Sequence, residues 1–142
     1  MKNILPATAL FLATLVAPSF AEAPGPHAAE FKTFHAAFLA AAKANDRQKL
    51  ADLIAFPVED WAVETQGNVQ EGPIKDRAEF LRRYDTLFTK SMRAHAQGAK
   101  PQPLQDGRYM IVWDDVDTEF SFEFGYATGT GYRITSYSIG PR

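Results

Sequence analysis

Apolar residues recur at steps of three and four between Ala28 and Ala44, which is the spacing of one buried helix face. They are Phe31, Phe34, Phe38, Ala41 and Ala42. Alanine, the best helix former, is abundant in the same stretch. The pattern predicts a first helix over Ala28–Ala44. Asp46 is a suitable N-cap for a second, short helix, which Pro57 ends.

After Pro57 the apolar period shifts towards two, which is typical of strands. The inward set is predicted to be Trp61, Val63 and Thr65, and the outward set Asp60, Ala62 and Glu64. Gly67-Asn68 is a turn signal, and Val69 to Ile74 is predicted as the second strand of a hairpin.

A third helix is predicted after Asp76, because Asp76 and Glu79 have the spacing of a capping box. Its apolar positions are Phe80, Leu81, Tyr84, Leu87 and Phe88. The helix is expected to continue or restart through Met92–Gln97, with Gly98 closing it.

The last third of the chain alternates as strands do. Pro101 and Pro103 are assigned to a loop, and Tyr109–Trp113 to a strand that ends at Asp114-Asp115. In the next strand phenylalanines are predicted inward and polar residues outward; these are Phe120, Phe122 and Phe124 against Glu119, Ser121 and Glu123. A hairpin connection over Gly125–Gly131 leads to a last strand over Tyr132–Ile139.

The predicted order is helix, helix, hairpin, helix and three strands, in a single domain over residues 28–142. Helices segregated from strands indicate an α+β fold in which a curved antiparallel sheet wraps over the helices. Short turns suffice to join the successive strands, so nothing in the pattern requires a parallel crossover.

The chain resembles the cystatin-like, nuclear transport factor two-like superfamily, and in particular its small exported bacterial proteins without an assigned activity. The resemblance rests on the Phe-rich first helix, the segments Asn45–Pro57 and Ile74–Phe88, and the closing strands. It implies a cone-shaped fold with a pocket between sheet and helices. Because the superfamily includes isomerases, dehydratases, adaptors and accessory domains, the resemblance implies no particular mechanism.

The N-terminus has the pattern of a secretory signal peptide. Lys2 precedes an uncharged, largely apolar run over Ile4–Pro18, and Ser19-Phe20-Ala21 forms a small-x-small cleavage site. The run is short for a membrane span and contains prolines, so no stable membrane anchor is expected. We expect residues 1–21 to be removed near Ala21 or Ala23, residues 22–27 to be a linker, and the protein to be periplasmic or secreted.

The amino-acid composition excludes several classes of function and of site. The net charge of −2, without a basic stripe, argues against nucleic-acid binding. The absence of cysteine excludes disulfides, a thiol nucleophile and thiolate metal sites. Aromatic residues make up 13% of the chain, so a small domain can build a thick core from rings.

Three residues are candidates for acid–base catalysis in a pocket: Asp60, Tyr84 and His95. The strand pattern instead places Asp60 outward, the helix pattern places Tyr84 in the core with its hydroxyl satisfied at an edge, and the polar surroundings of His95 place it on the surface. His35 is expected at the border of the buried helix face, without metal-ligand spacing around it.

The acidic residues between Asp114 and Glu123 could bind a hard cation such as calcium. An EF-hand loop starting at Asp115 would need glycine at its sixth position, which is Phe120. A solvated or partner-facing acidic surface is therefore expected. Gly125–Gly131 precedes a strand, whereas phosphate-binding loops precede helices, so no phosphate loop is predicted. No cofactor or metal is expected.

The sequence favours a non-enzymatic domain that binds a small apolar molecule or a protein. The predicted pocket-lining residues are Trp61, Tyr84, Phe88, Trp113, Phe120 and Phe122. One alternative is an enzyme of the isomerase or dehydratase type that uses a pocket carboxylate or tyrosine. Another is a protein-interaction module that uses the acidic strand face, and a homodimer is left open.

Overall fold

The structure, a computed structural model, describes residues 25–141. The helices in this part of the chain are α1 (Ala28–Ala44), α2 (Arg47–Asp52), α3 (Arg77–Arg82), α4 (Tyr84–Leu87) and α5 (Lys90–Gly98). The strands are β1 (Val58–Thr65), β2 (Asn68–Ile74), β3 (Pro101–Pro103), β4 (Tyr109–Asp115), β5 (Thr118–Ala127) and β6 (Gly131–Pro141). The predicted signal peptide, its cleavage sites and part of the predicted linker lie outside the described residues.

Helix α1 has the predicted boundaries and buries the predicted face of three phenylalanines and two alanines. It ends at Asn45, whose left-handed conformation (φ 54°, ψ 37°) is tolerated better by asparagine than by most residues. The caps predicted for the next two helices are also present. Asp46 accepts a hydrogen bond from the Lys49 amide at 3.1 Å, and Asp76 accepts one from the Glu79 amide at 2.8 Å.

The predicted third helix is divided into three. Arg83 (φ −103°, ψ 13°) separates α3 from α4, and Phe88 (φ −136°, ψ 75°) leaves the helical region altogether. Thr89 then starts α5 as an N-cap, with its hydroxyl accepting a hydrogen bond from the Met92 amide at 3.2 Å. The breaks allow Tyr84, Leu87 and Phe88 all to be buried while the chain changes direction.

The six strands form one open mixed sheet in the order β2-β1-β6-β5-β4-β3. The expectation of a purely antiparallel sheet was wrong at one position, because β1 pairs with β6 in parallel through Trp61 and Tyr137. Successive strands within the hairpin β1–β2 and the meander β3–β6 are indeed joined by antiparallel turns. The parallel pair forms between the first and last strands, which no local turn relates.

Two further local expectations were wrong. Pro101–Pro103, assigned to a loop, is the short edge strand β3, where proline is tolerated because one side of an edge strand makes no ladder bonds. Ala62, assigned outward, is buried like its neighbour Trp61. A register irregularity between Val58 and Trp61 disturbs the alternation in β1, a strand that lies between β2 and β6.

The core consists mainly of aromatic rings between α1 and the sheet. Phe122 and Phe124 on β5 are fully buried, as the alternation predicted, and Glu119 is exposed. Phe38 of α1 meets both of these rings edge to face at centroid distances of 5.7 and 5.5 Å. Phe31 stacks on Tyr109 of β4 at 3.7 Å. The rings therefore fill most of the space between helices and sheet. Within residues 25–141, no helix is both long enough and apolar enough to span a bilayer.

Candidate binding cleft

A cleft of about 220 Å³ remains where the ring-filled core ends. Helices α4 and α5 form one side of it, and strands β1, β4, β5 and β6 form the other. We call it the aromatic cleft, because its wall includes Trp113, Phe120 and Tyr137 from the sheet and His95 from α5. The volume suits a small organic molecule rather than a drug-sized one.

Three rings of the wall lie nearly parallel. Trp113 of β4 is the cross-strand partner of Phe120 on β5, and their planes differ by 4° at a centroid distance of 5.7 Å. His95 stacks on Trp113 at the same distance, with a plane difference of 6°. Pairing in the sheet thus fixes two of the rings, and the helix supplies the third.

Tyr137 is the most buried polar residue of the cleft, with 3% of its surface exposed. Its hydroxyl makes no hydrogen bond to any other group of residues 25–141. Burial raises the pKa of Tyr137, and the negative charge of Glu64 raises it further. The hydroxyl therefore stays protonated near neutral pH and can donate a hydrogen bond.

Two acidic side chains and one basic side chain, His95, line the cleft among the described residues. Glu64 and Asp115 lie at its rim, and the described residues that line it include no lysine or arginine. Neither carboxylate belongs to an ion pair in the described part of the chain. The hydroxyls of Thr86 and Ser91 complete the polar part of the rim.

The six residues predicted to line a pocket lie in different parts of the structure. Trp113 and Phe120 lie on the wall of the aromatic cleft. Phe122 lies behind them, fully buried, with its ring 4.7 Å from that of Tyr137. Tyr84 and Phe88 are core residues, and Trp61 borders a different groove, between β1, β2 and α4. Contact of these six residues with a ligand stays a prediction.

The three candidate catalytic residues lie in three different environments. Asp60 is exposed in a polar groove of the sheet surface that no helix lines. Tyr84 is in the core, and its hydroxyl donates a hydrogen bond to the Asn45 side-chain oxygen at 2.8 Å. His95 is exposed, but its ring covers Trp113. Only His95 of the three lines the aromatic cleft.

His35 lies at the border of the buried face of α1, as expected. Its Nε2 atom is buried without a hydrogen-bond partner in residues 25–141, and burial lowers the pKa of its imidazole. The rings of Phe31, Phe38 and Phe124 surround it. The site is apolar and separate from the aromatic cleft.

Sequence reasoning missed Tyr137 and Glu64. Glu64 has the outward parity in β1, and Tyr137 follows a register irregularity in β6 that interrupts the alternation. They come close only because β1 and β6 pair in parallel. No short-range signal in the sequence reports that pairing.

The acidic residues of the stretch between Asp114 and Glu123 have different surroundings. Asp115 lies at the cleft, Asp117 and Glu119 are exposed, and Glu123 pairs with the guanidinium of Arg108. No group of three or more potential metal ligands occurs within residues 25–141.

Two solved structures are similar to this one at low identity. An NTF-2-like protein of unknown function from Silicibacter pomeroyi DSS-3 is 17% identical, with a TM-score of 0.43, and the match covers 82% of this chain and 96% of the other. A "putative ketosteroid isomerase" from Shewanella frigidimarina NCIMB 400 is 12% identical, with a TM-score of 0.44, and the match covers 78% of this chain and 94% of the other. No protein-family model and no curated protein matches the sequence.

Proposed function

We propose that this protein is an exported domain that binds a small, largely apolar molecule in the aromatic cleft. The observation that carries the proposal is the combination of a ring-lined opening with the Tyr137 hydroxyl, which has no partner within residues 25–141. A hydroxyl that makes no hydrogen bond within the described residues is available to donate one to a polar group of a bound molecule.

A thermal-shift screen with a library of small lipophilic compounds tests this proposal. A ligand at a hundredfold its Kd stabilises the native state by about 2.7 kcal/mol, which raises the Tm by several degrees. Ser91→Trp, at the rim of the cleft, should abolish the shift by filling the opening. Ala94→Trp, exposed on the same helix but outside the cleft, is the matched control and should retain it.

Calcium provides a second arm of the same screen. Because the acidic residues between Asp114 and Glu123 are divided between the cleft, the solvent and Arg108, millimolar calcium should leave the Tm unchanged. A strong calcium shift without organic ligands would contradict the proposal and would make Asp115, Asp117 and Glu119 the first residues to mutate.

Export is the part of the proposal that rests on the sequence of residues 1–23 alone. N-terminal sequencing of the protein from a periplasmic or culture fraction should find a start near Glu22 or Pro24. Recovery of the soluble exported protein with Met1 still attached would contradict it.

A second candidate function is catalysis of the isomerase or dehydratase type. The protonated Tyr137 hydroxyl could donate a hydrogen bond to a substrate oxygen, and the nearby Glu64 carboxylate could accept a proton from carbon. Compounds that bind should then be converted by the wild type, as followed by chromatography. Glu64→Gln should bind them without conversion, whereas equal behaviour of both proteins favours binding alone.

The protein-interaction alternative has less support. Val69 and Val116 are the large apolar residues exposed within residues 25–141, and they lie in different hairpins, so they form no extensive patch. If neither calcium nor any organic compound shifts the Tm, this reading, including a homodimer, becomes the preferred one. Size-exclusion chromatography with light scattering then measures the oligomeric state directly.

A further inference from the structure

We propose that the molecule bound in the aromatic cleft is an organic cation, such as a protonated or alkylated amine. The inference deepens the proposed binding function and rests on it. It follows from the charged and the aromatic side chains that line the aromatic cleft.

The charge of the cleft disfavours anions. Glu64 and Asp115 both reach the rim, and among the described residues that line the opening the one basic side chain is His95, with no lysine or arginine. Two carboxylates on one small opening attract a positive ligand and repel a carboxylate or phosphate.

The aromatic wall favours a cation over a neutral molecule. Trp113 and Phe120 keep part of their surface exposed at the cleft, and Tyr137 lies beside them. His95 stacks on Trp113, so the exposed parts of the indole and phenyl rings are the surfaces that attract an ammonium group, through the negative potential of the ring. Rings combined with carboxylates form the type of pocket that recognises amines.

The unsatisfied hydroxyl of Tyr137 is the independent observation that points to a ligand. The Tyr137 side chain is almost wholly buried and belongs to the lining of the cleft, and its hydroxyl has no partner in residues 25–141. A phenol oxygen accepts a hydrogen bond from an ammonium N–H and can still donate its own proton to a polar group. A metal ion is a poorer candidate, because the described residues contain no group of three ligating side chains.

Three compounds of nearly equal size and shape test the inference: benzylamine, benzyl alcohol and benzoate, which are positive, neutral and negative near pH 7. Calorimetric titration of the full exported protein should give a Kd for benzylamine at least about tenfold lower than for benzyl alcohol, with benzoate weakest. The preference should shrink as salt is raised, because the rim carboxylates are exposed.

A double variant identifies the groups responsible. Glu64→Gln and Asp115→Asn together should weaken benzylamine binding about tenfold and leave benzyl alcohol unchanged. The matched controls are Glu59→Gln, on the same strand, and Asp117→Asn, in the same hairpin; both residues are exposed and neither lines the cleft.

The outcomes separate the two proposals. Equal affinity for benzyl alcohol and benzylamine, or tighter binding of benzoate, overturns the charge inference while the binding function stands. Unchanged benzylamine affinity in the double variant also overturns it. Failure of all three compounds overturns the inference for amines of this size, whereas the comparison of Ser91→Trp with Ala94→Trp decides the binding function on its own.

Discussion

The indole Nε1–H of Trp61 donates a 2.8 Å hydrogen bond to the backbone carbonyl of Leu87. Leu87 is the last residue of α4, where helix carbonyls lack partners within the helix. The bond ties strand β1 to the helical segment that forms one side of the aromatic cleft, and it satisfies both groups in the protein interior.

We expect Trp61→Phe to destabilise the protein by about 2–4 kcal/mol, because it leaves a buried carbonyl without a donor and removes packing volume. Urea unfolding measures the loss. Trp113→Phe is the control and should cost less than half as much, since Trp113 is partly exposed and its N–H makes no hydrogen bond within residues 25–141. Equal costs would mean that the Trp61 bond contributes nothing measurable.

Phe34→Ala and Phe122→Ala should each reduce the free energy of unfolding by about 3–5 kcal/mol, because both rings are buried in the aromatic core. Glu119→Ala, on the opposite face of the same strand as Phe122, should change it by less than about 0.5 kcal/mol. Similar losses at Phe122 and Glu119 would contradict the orientation of β5. Denaturant melts provide the comparison.

Stability should fall as the pH is lowered below about 6.5, through His35. Burial lowers the pKa of its imidazole, so the unfolded chain takes up the proton first. This contribution is fully present above the unfolded pKa and is lost as the pH falls towards the folded one. Urea melts between about pH 7 and 5 should show a shallower decline for His35→Phe.

The hydrogen bond between the Tyr84 hydroxyl and the Asn45 side chain should contribute about 1 kcal/mol. A double-mutant cycle of Tyr84→Phe and Asn45→Gly isolates it, because glycine keeps the left-handed conformation and removes only the acceptor. Asn45→Ala should cost about 1 kcal/mol more than Asn45→Gly, since alanine is strained at this backbone geometry. A coupling near zero would show that solvent replaces the bond.

Gly125 is required by a close contact with the neighbouring strand. A Cβ atom at this position would lie 2.9 Å from Cγ2 of Thr135, whose branched side chain has little freedom to move. Gly125→Ala should therefore cost about 1–3 kcal/mol in thermal or urea unfolding. Adding Thr135→Ser removes the clashing methyl and should recover most of the loss. If the double variant loses as much stability as Gly125→Ala alone, the cause lies in the backbone at this position and not in the contact with the methyl group.

Much of the local structure could be predicted from the sequence. The face of α1, the caps at Asp46 and Asp76, and the inward phenylalanines of β5 all follow from the spacing of neighbouring residues. Spacing suffices there because one helix turn or one strand pleat decides which side chains share a face. The surface position of Asp60 and the core position of Tyr84 followed in the same way.

The candidate site depends on contacts between residues that are distant in the sequence. The parallel pairing of β1 with β6 brings Tyr137 close to Glu64, and the breaks at Arg83 and Phe88 place α5 so that His95 meets Trp113. Such contacts depend on how helices and strands pack, which periodicity does not encode. The sequence by itself determined an α+β domain with a phenylalanine core, whereas the tertiary structure decided where that core leaves a cleft and which charges face it.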